Sequence, residues 1–147
     1  MTHDRTLPLA ARATLHCATG CVAGEVTGLA LGVSLGLGAW ASMGLATLLA
    51  FVFGLTLAAW PLSRSQGIGF GAALSMIWLG ECASIAAMEV AMNATDYALG
   101  GASAGSIAEP VFWGALAVAI PVGYLAALPV NYAMIRRGLG HHHHHAQ

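Results

Sequence analysis

The chain has 147 residues, 58% hydrophobic and 7% charged, with a net charge of −1 and a mean hydropathy of +0.75. Soluble domains carry about a quarter charged residues, so this composition excludes a soluble globular domain. With 5 Lys and Arg in all, it also leaves no basic surface for nucleic acid. Roughly 20 apolar residues cross a bilayer. The length therefore predicts an all-α fold, a four-helix transmembrane bundle with the lipid bilayer as its surroundings.

Residues 1–12 are polar, with Asp4, Arg5, Pro8 and Arg12, and read as a short cytoplasmic segment. They lack the apolar core and cleavage site of a signal peptide. The first span is predicted over 13–36. It carries His16, Cys17, Cys21 and Glu25, and the last three repeat every four residues, which stacks them on one helix face. Gly20, Gly24, Gly28, Gly32 and Gly36 continue the same step from His16 on the adjoining face. Glycine there lets a neighbouring backbone come very close.

A tight connection over 37–39 leads to the second span, predicted over 40–61. It has no charge and is framed by Trp40 and Trp60, as interfacial anchoring requires. It reads as the most lipid-facing helix and the least informative for function. After the polar loop 63–67, the third span is predicted over 68–97, with Glu81, Cys82, Met88, Glu89, Met92, Asn93 and Asp96. A Gly-, Ala- and Ser-rich loop ends at Pro110, which suits a first helical turn. The fourth span runs to about 135 and contains Pro121 and Pro129. A kink is predicted there, with Tyr124, Asn131 and Tyr132 satisfying the freed carbonyls. The transmembrane domain is thus 13–136. The tail, 137–147, is His-rich, and its histidines at 141–145 are either a tag or a native metal-binding segment.

Charge predicts the topology. With four spans, the N-terminus, the 63–67 loop and the C-terminus share one side, and they hold every basic residue: Arg5, Arg12, Arg64, Arg136 and Arg137. The positive-inside rule places both termini in the cytoplasm.

Spans one and three run in the same direction, so their depths compare. Counted at about 1.5 Å per residue from the expected starts, Glu25, Glu81 and Cys82 fall at one level near mid-membrane. Cys21, Cys17 and His16 descend from there, and Met88, Glu89, Met92, Asn93 and Asp96 climb. On a helical wheel, Cys82, Glu89, Asn93 and Asp96 share one narrow face, with Glu81, Met88 and Met92 at its shoulder. Thiolate and thioether donors select soft ions such as Cu(I), and imidazole suits several transition metals. Taken singly, a buried Cys or Met more often packs than ligates. Intramembrane carboxylates point to function, or to mutual hydrogen bonding in protonated form.

His16-Cys17-x-x-Gly20-Cys21-x-x-Gly24-Glu25, Trp78-x-x-Glu81-Cys82-x-Ser84-Ile85-x-x-Met88-Glu89 and Pro129-Val130-Asn131-Tyr132 resemble a small membrane family, domain-of-unknown-function family 4396. The resemblance runs from about Thr14 to Gly140. It implies a multi-pass protein of the bacterial inner membrane and supplies no activity. Its relatives are associated with copper-handling genes. Met88-x-x-x-Met92 is also similar to the methionine pair of eukaryotic-type copper transporters, whose three spans differ from the four expected here.

The leading expectation is a transition-metal transporter or metal-handling protein, for copper as Cu(I) or another soft metal. Its ligands would be His16, Cys17, Cys21, Glu25, Glu81, Cys82, Met88, Glu89, Met92 and Asp96. One alternative is a proton or ion pathway using carboxylates alone. Another is a non-transporting scaffold packed through the glycine stripe. No Cys-x-x-Cys motif, Rossmann glycine loop or pair of intramembrane histidines is present, so no enzyme is expected. Four spans wall an aqueous route thinly, so a homo-oligomer joined at the glycine face is expected.

Overall fold

The computed structural model describes residues 5–138. The histidines at 141–145 and the rest of the tail beyond 138 lie outside the described residues, as do residues 1–4. The elements are α1 (Thr6–Ser34), α2 (Ala39–Gln66), α3 (Phe70–Leu99) and α4 (Pro110–Arg136). No strand occurs among the described residues. All four helices are long and apolar enough to cross a membrane, which makes this a multi-pass membrane protein. At 27 to 30 residues each, they are longer than the roughly 20 residues a bilayer core needs.

Two boundaries differ from the sequence expectation. α1 begins at Thr6, so the polar stretch before residue 13 is its first two turns and not a separate segment. Pro8 is tolerated there because its missing N–H falls in the first turn, where no helical acceptor waits. α2 runs through Pro61 to Gln66, so the predicted 63–67 loop is mostly helix. α4 is likewise continuous through Pro121 and Pro129.

Consecutive helices are antiparallel and packed side by side, α1 also meets α4, and α1 and α3 touch across the diagonal. That diagonal contact sets the chemistry, because α1 and α3 carry the acidic and thiol groups.

The α1–α2 pair is closed by small residues in matching steps of four. A Cβ on Gly20 would sit 2.7 Å from the Gly54 Cα. One on Gly24 or Gly28 would overlap the backbone of Ala50 or Ala46, and one on Gly32 would meet Ser42. The expected glycine stripe is therefore real, but α2 of the same chain fills it. This corrects the expectation of an oligomer or scaffold contact through that face. Gly36 is also corrected. It lies beyond α1 with open space around it and φ +67°, and it turns the chain after the helix. Leu37 N–H then returns to the Gly32 carbonyl at 2.9 Å, as in a Schellman cap.

Candidate functional site

The upper half of the α1–α3 diagonal holds a group of carboxyls. Glu25 follows Thr6 by 19 residues, and Glu89 follows Phe70 by the same 19. Helices that start at one membrane level therefore bring these two residues together. Glu25 faces Glu89 within hydrogen-bonding reach and lies near Asp96. This corrects the predicted pairing with Glu81 and Cys82. α1 starts seven residues earlier than expected and α3 two later, which slides one helix by about 13 Å against the other.

The three carboxyls are sealed from water, with Glu25 and Asp96 0% exposed and Glu89 2%. Glu89 also meets Thr47 of α2 and Asn93. The Asn93 amide donates to the Glu89 carbonyl at 2.9 Å, to Thr47 Oγ1 at 3.1 Å and to Glu89 Oε2 at 3.4 Å. Asp96 sits under the α3–α4 loop, where a Cβ on Gly101 would overlap its Oδ1 and Ala102 N–H faces it. Even so, both oxygens of Glu25, Oε1 of Glu89, both oxygens of Asp96 and Oδ1 of Asn93 find no donor in good geometry. Ionised carboxylates only accept hydrogen bonds, so the Glu25–Glu89 contact becomes a hydrogen bond only when one of them holds a proton. The arrangement is a buried set of hydrogen-bond acceptors with few donors.

The lower half holds a different set. Asn131 of α4 donates to Thr14 Oγ1 of α1 and to Ser84 Oγ of α3, each at 2.9 Å. Thr14 donates its own hydroxyl to the Ala10 carbonyl at 2.8 Å. Ser84 donates to Cys17 Sγ at 3.5 Å, and Cys17 lies 3.9 Å from Cys21 Sγ. One amide thus ties three helices together. Tyr124 adds a bond from α4 to the Ala11 carbonyl at 3.2 Å. Tyr124 and Asn131 are therefore spent on other helices, not on carbonyls freed by the α4 prolines. Tyr132 packs its ring near Arg136.

The remaining predicted ligands disperse. His16 is exposed and turns to α2, where Nε2 lies 3.2 Å from the Leu57 carbonyl. Leu57 is four residues before Pro61, so proline leaves that carbonyl without its helical donor. With its proton on Nε2, His16 supplies the missing bond. Cys82 is only partly buried. The Cys82–Asp96 face spans two heptads, over which a straight helix drifts about 40°. Met88 and Met92 are fully buried and turn to α4, where a Cβ on Gly123 would strike both. They behave as core filler against a glycine. Glu81 is buried and within electrostatic reach of Cys21. Among the described residues, no three His, Cys, Asp or Glu side chains converge as a metal site would.

Thr14, Thr47 and Ser84 were not singled out by the sequence as site residues. A usable signal was present on α2. Ser42, Ala46, Ala50 and Gly54 repeat at four residues and mirror the α1 stripe, which fixes the α1–α2 register and turns Thr47 inward.

The fold and its buried polar spine define a polytopic α-helical membrane protein with ionisable groups inside the bundle. The chain belongs to the family described as Domain of unknown function (DUF4396), whose model matches residues 8–140. No curated protein and no solved structure matches it.

Proposed function

We propose that this protein is a membrane proton or cation pathway carried by Glu25, Glu89 and Asp96. The observation that supports it is the set of buried carboxyl oxygens without donors, Glu25 above all. An uncompensated charge in such a place costs several kcal/mol or more, so each carboxyl must gain a proton or an ion to be stable. Protons suit the geometry better than a metal, because they need carboxyls in pairs and not three donors around one point. Thr47 and Asn93 hold Glu89 towards Glu25, and Asp96 extends the set to the α3–α4 loop. Both termini face the cytoplasm of a bacterial cell in this reading, since all five arginines cluster at one end of the bundle.

The test is proton flux into vesicles holding the purified protein, driven by a potassium diffusion potential and read by an internal pH dye. Glu25→Gln and Glu89→Gln are each expected to reduce flux to the rate of empty vesicles. Wild-type flux in both variants would refute the reading.

A further inference from the structure

We infer that Cys17 and Cys21 form a two-coordinate site for a soft monovalent cation of the Cu(I) or Ag(I) class, independent of the carboxyl pathway. The two Sγ atoms lie 3.9 Å apart, one turn apart on α1, and both side chains are buried. They are free thiols, and helical i, i+4 spacing holds their Cβ atoms too far apart for a disulfide. Two sulfurs facing across such a gap can grip one ion between them. Sulfur donors select soft ions. A Zn²⁺-type ion needs four ligands, and no third His, Cys, Asp or Glu joins the pair among the described residues.

Ser84 supplies a second, independent observation. Its hydroxyl donates to Cys17 Sγ at 3.5 Å and is itself held by Asn131 at 2.9 Å. A cysteine that merely fills space needs no such donor. A hydroxyl aimed at sulfur from another helix, oriented by an amide from a third, stabilises a thiolate. Charge selects the ion further. One thiolate, one thiol and one monovalent cation sum to zero, which an apolar bundle tolerates. Binding breaks one S–H bond and forms two sulfur–metal bonds, one from the thiolate and one dative from the remaining thiol. One proton leaves for each ion bound, the second sulfur donates a lone pair, and no electron is transferred.

The test uses the full-length chain in detergent with the histidines at 141–145 replaced by serine. Ag(I) is titrated without oxygen, bound silver is measured by mass spectrometry, and released protons are read with an indicator. One silver and one proton per chain are expected. Cys17→Ser and Cys21→Ser should each lose both signals, and Cys82→Ser should keep them. Ser84→Ala should weaken binding by about tenfold, the worth of one hydrogen bond to a charged group. X-ray absorption of the silver-loaded parent chain should show two sulfur neighbours, and this readout does not depend on any variant folding. No bound silver, binding that survives both thiol variants, equal loss with Cys82→Ser, or a shell without two sulfurs would overturn the assignment.

Discussion

Gly24→Ala tests the α1–α2 contact that brings Thr47 of α2 to the carboxyl cluster. The added methyl would meet the Leu49 carbonyl carbon at 2.5 Å and would overlap Ala50 N and Cα more closely still. Carbon atoms rest at about 3.5–4.0 Å, so the helices must part by about 1 Å. The obstacles are backbone atoms, and no rotamer change can clear them. Overpacking of this kind costs about 1–3 kcal/mol and sometimes more. Helix propensity returns up to about 1 kcal/mol for Gly→Ala. The net expectation is a loss of about 1–2 kcal/mol, a factor of roughly 5 to 30 in the folding equilibrium. Gly44→Ala is the control, because α2 leaves open space there, so only the propensity gain remains. Reversible unfolding in mixed micelles, followed by circular dichroism, gives both values. Gly24→Ala as stable as Gly44→Ala would refute the close α1–α2 packing.

Other consequences follow from the same contacts. Asn131→Ala removes the two bonds that Thr14 and Ser84 accept, though each keeps the bond it donates, and should cost about 1–3 kcal/mol in the same unfolding assay, at roughly 0.5–1.5 kcal/mol per hydrogen bond lost. Asn131→Gln, whose longer side chain shifts the amide, should recover only part of that. His16→Ala removes the donor to the Leu57 carbonyl and should lower the melting temperature, while Ag(I) stoichiometry at the thiol pair stays unchanged. Gly123→Leu should expel Met92 and Met88 from their seat on α4 and lower stability, whereas Gly114→Leu, which faces open space, should not.

The span count, the apolar helices and the placing of the acidic and thiol residues on α1 and α3 are legible in composition and spacing, because these are local properties of the chain. The glycine stripe was legible too, and so was its chemistry of close approach. Its partner was not, since a stripe of small residues does not say which helix will fill it. Depth was the weakest inference. The polar residues Arg5 and Arg12 look like a lead outside the membrane, yet they sit on or beside the first turns of α1, and the count from Ala13 therefore paired Glu25 with Glu81 and not Glu89. His16 read as a ligand because its sequence neighbour is Cys17. Its actual partner is a carbonyl 41 residues away, freed by a proline on another helix. Ser84 and Asn131 gain meaning only when α3 and α4 meet α1.

The most direct test of the central claim compares Glu25→Gln with the double variant Cys17→Ser, Cys21→Ser in one proton-flux assay on matched vesicles. Flux at background in Glu25→Gln and at the wild-type rate in the thiol variant is the result this account predicts. Full flux in Glu25→Gln, with loss in the thiol variant, would contradict it and move the pathway from the carboxyls to the sulfurs.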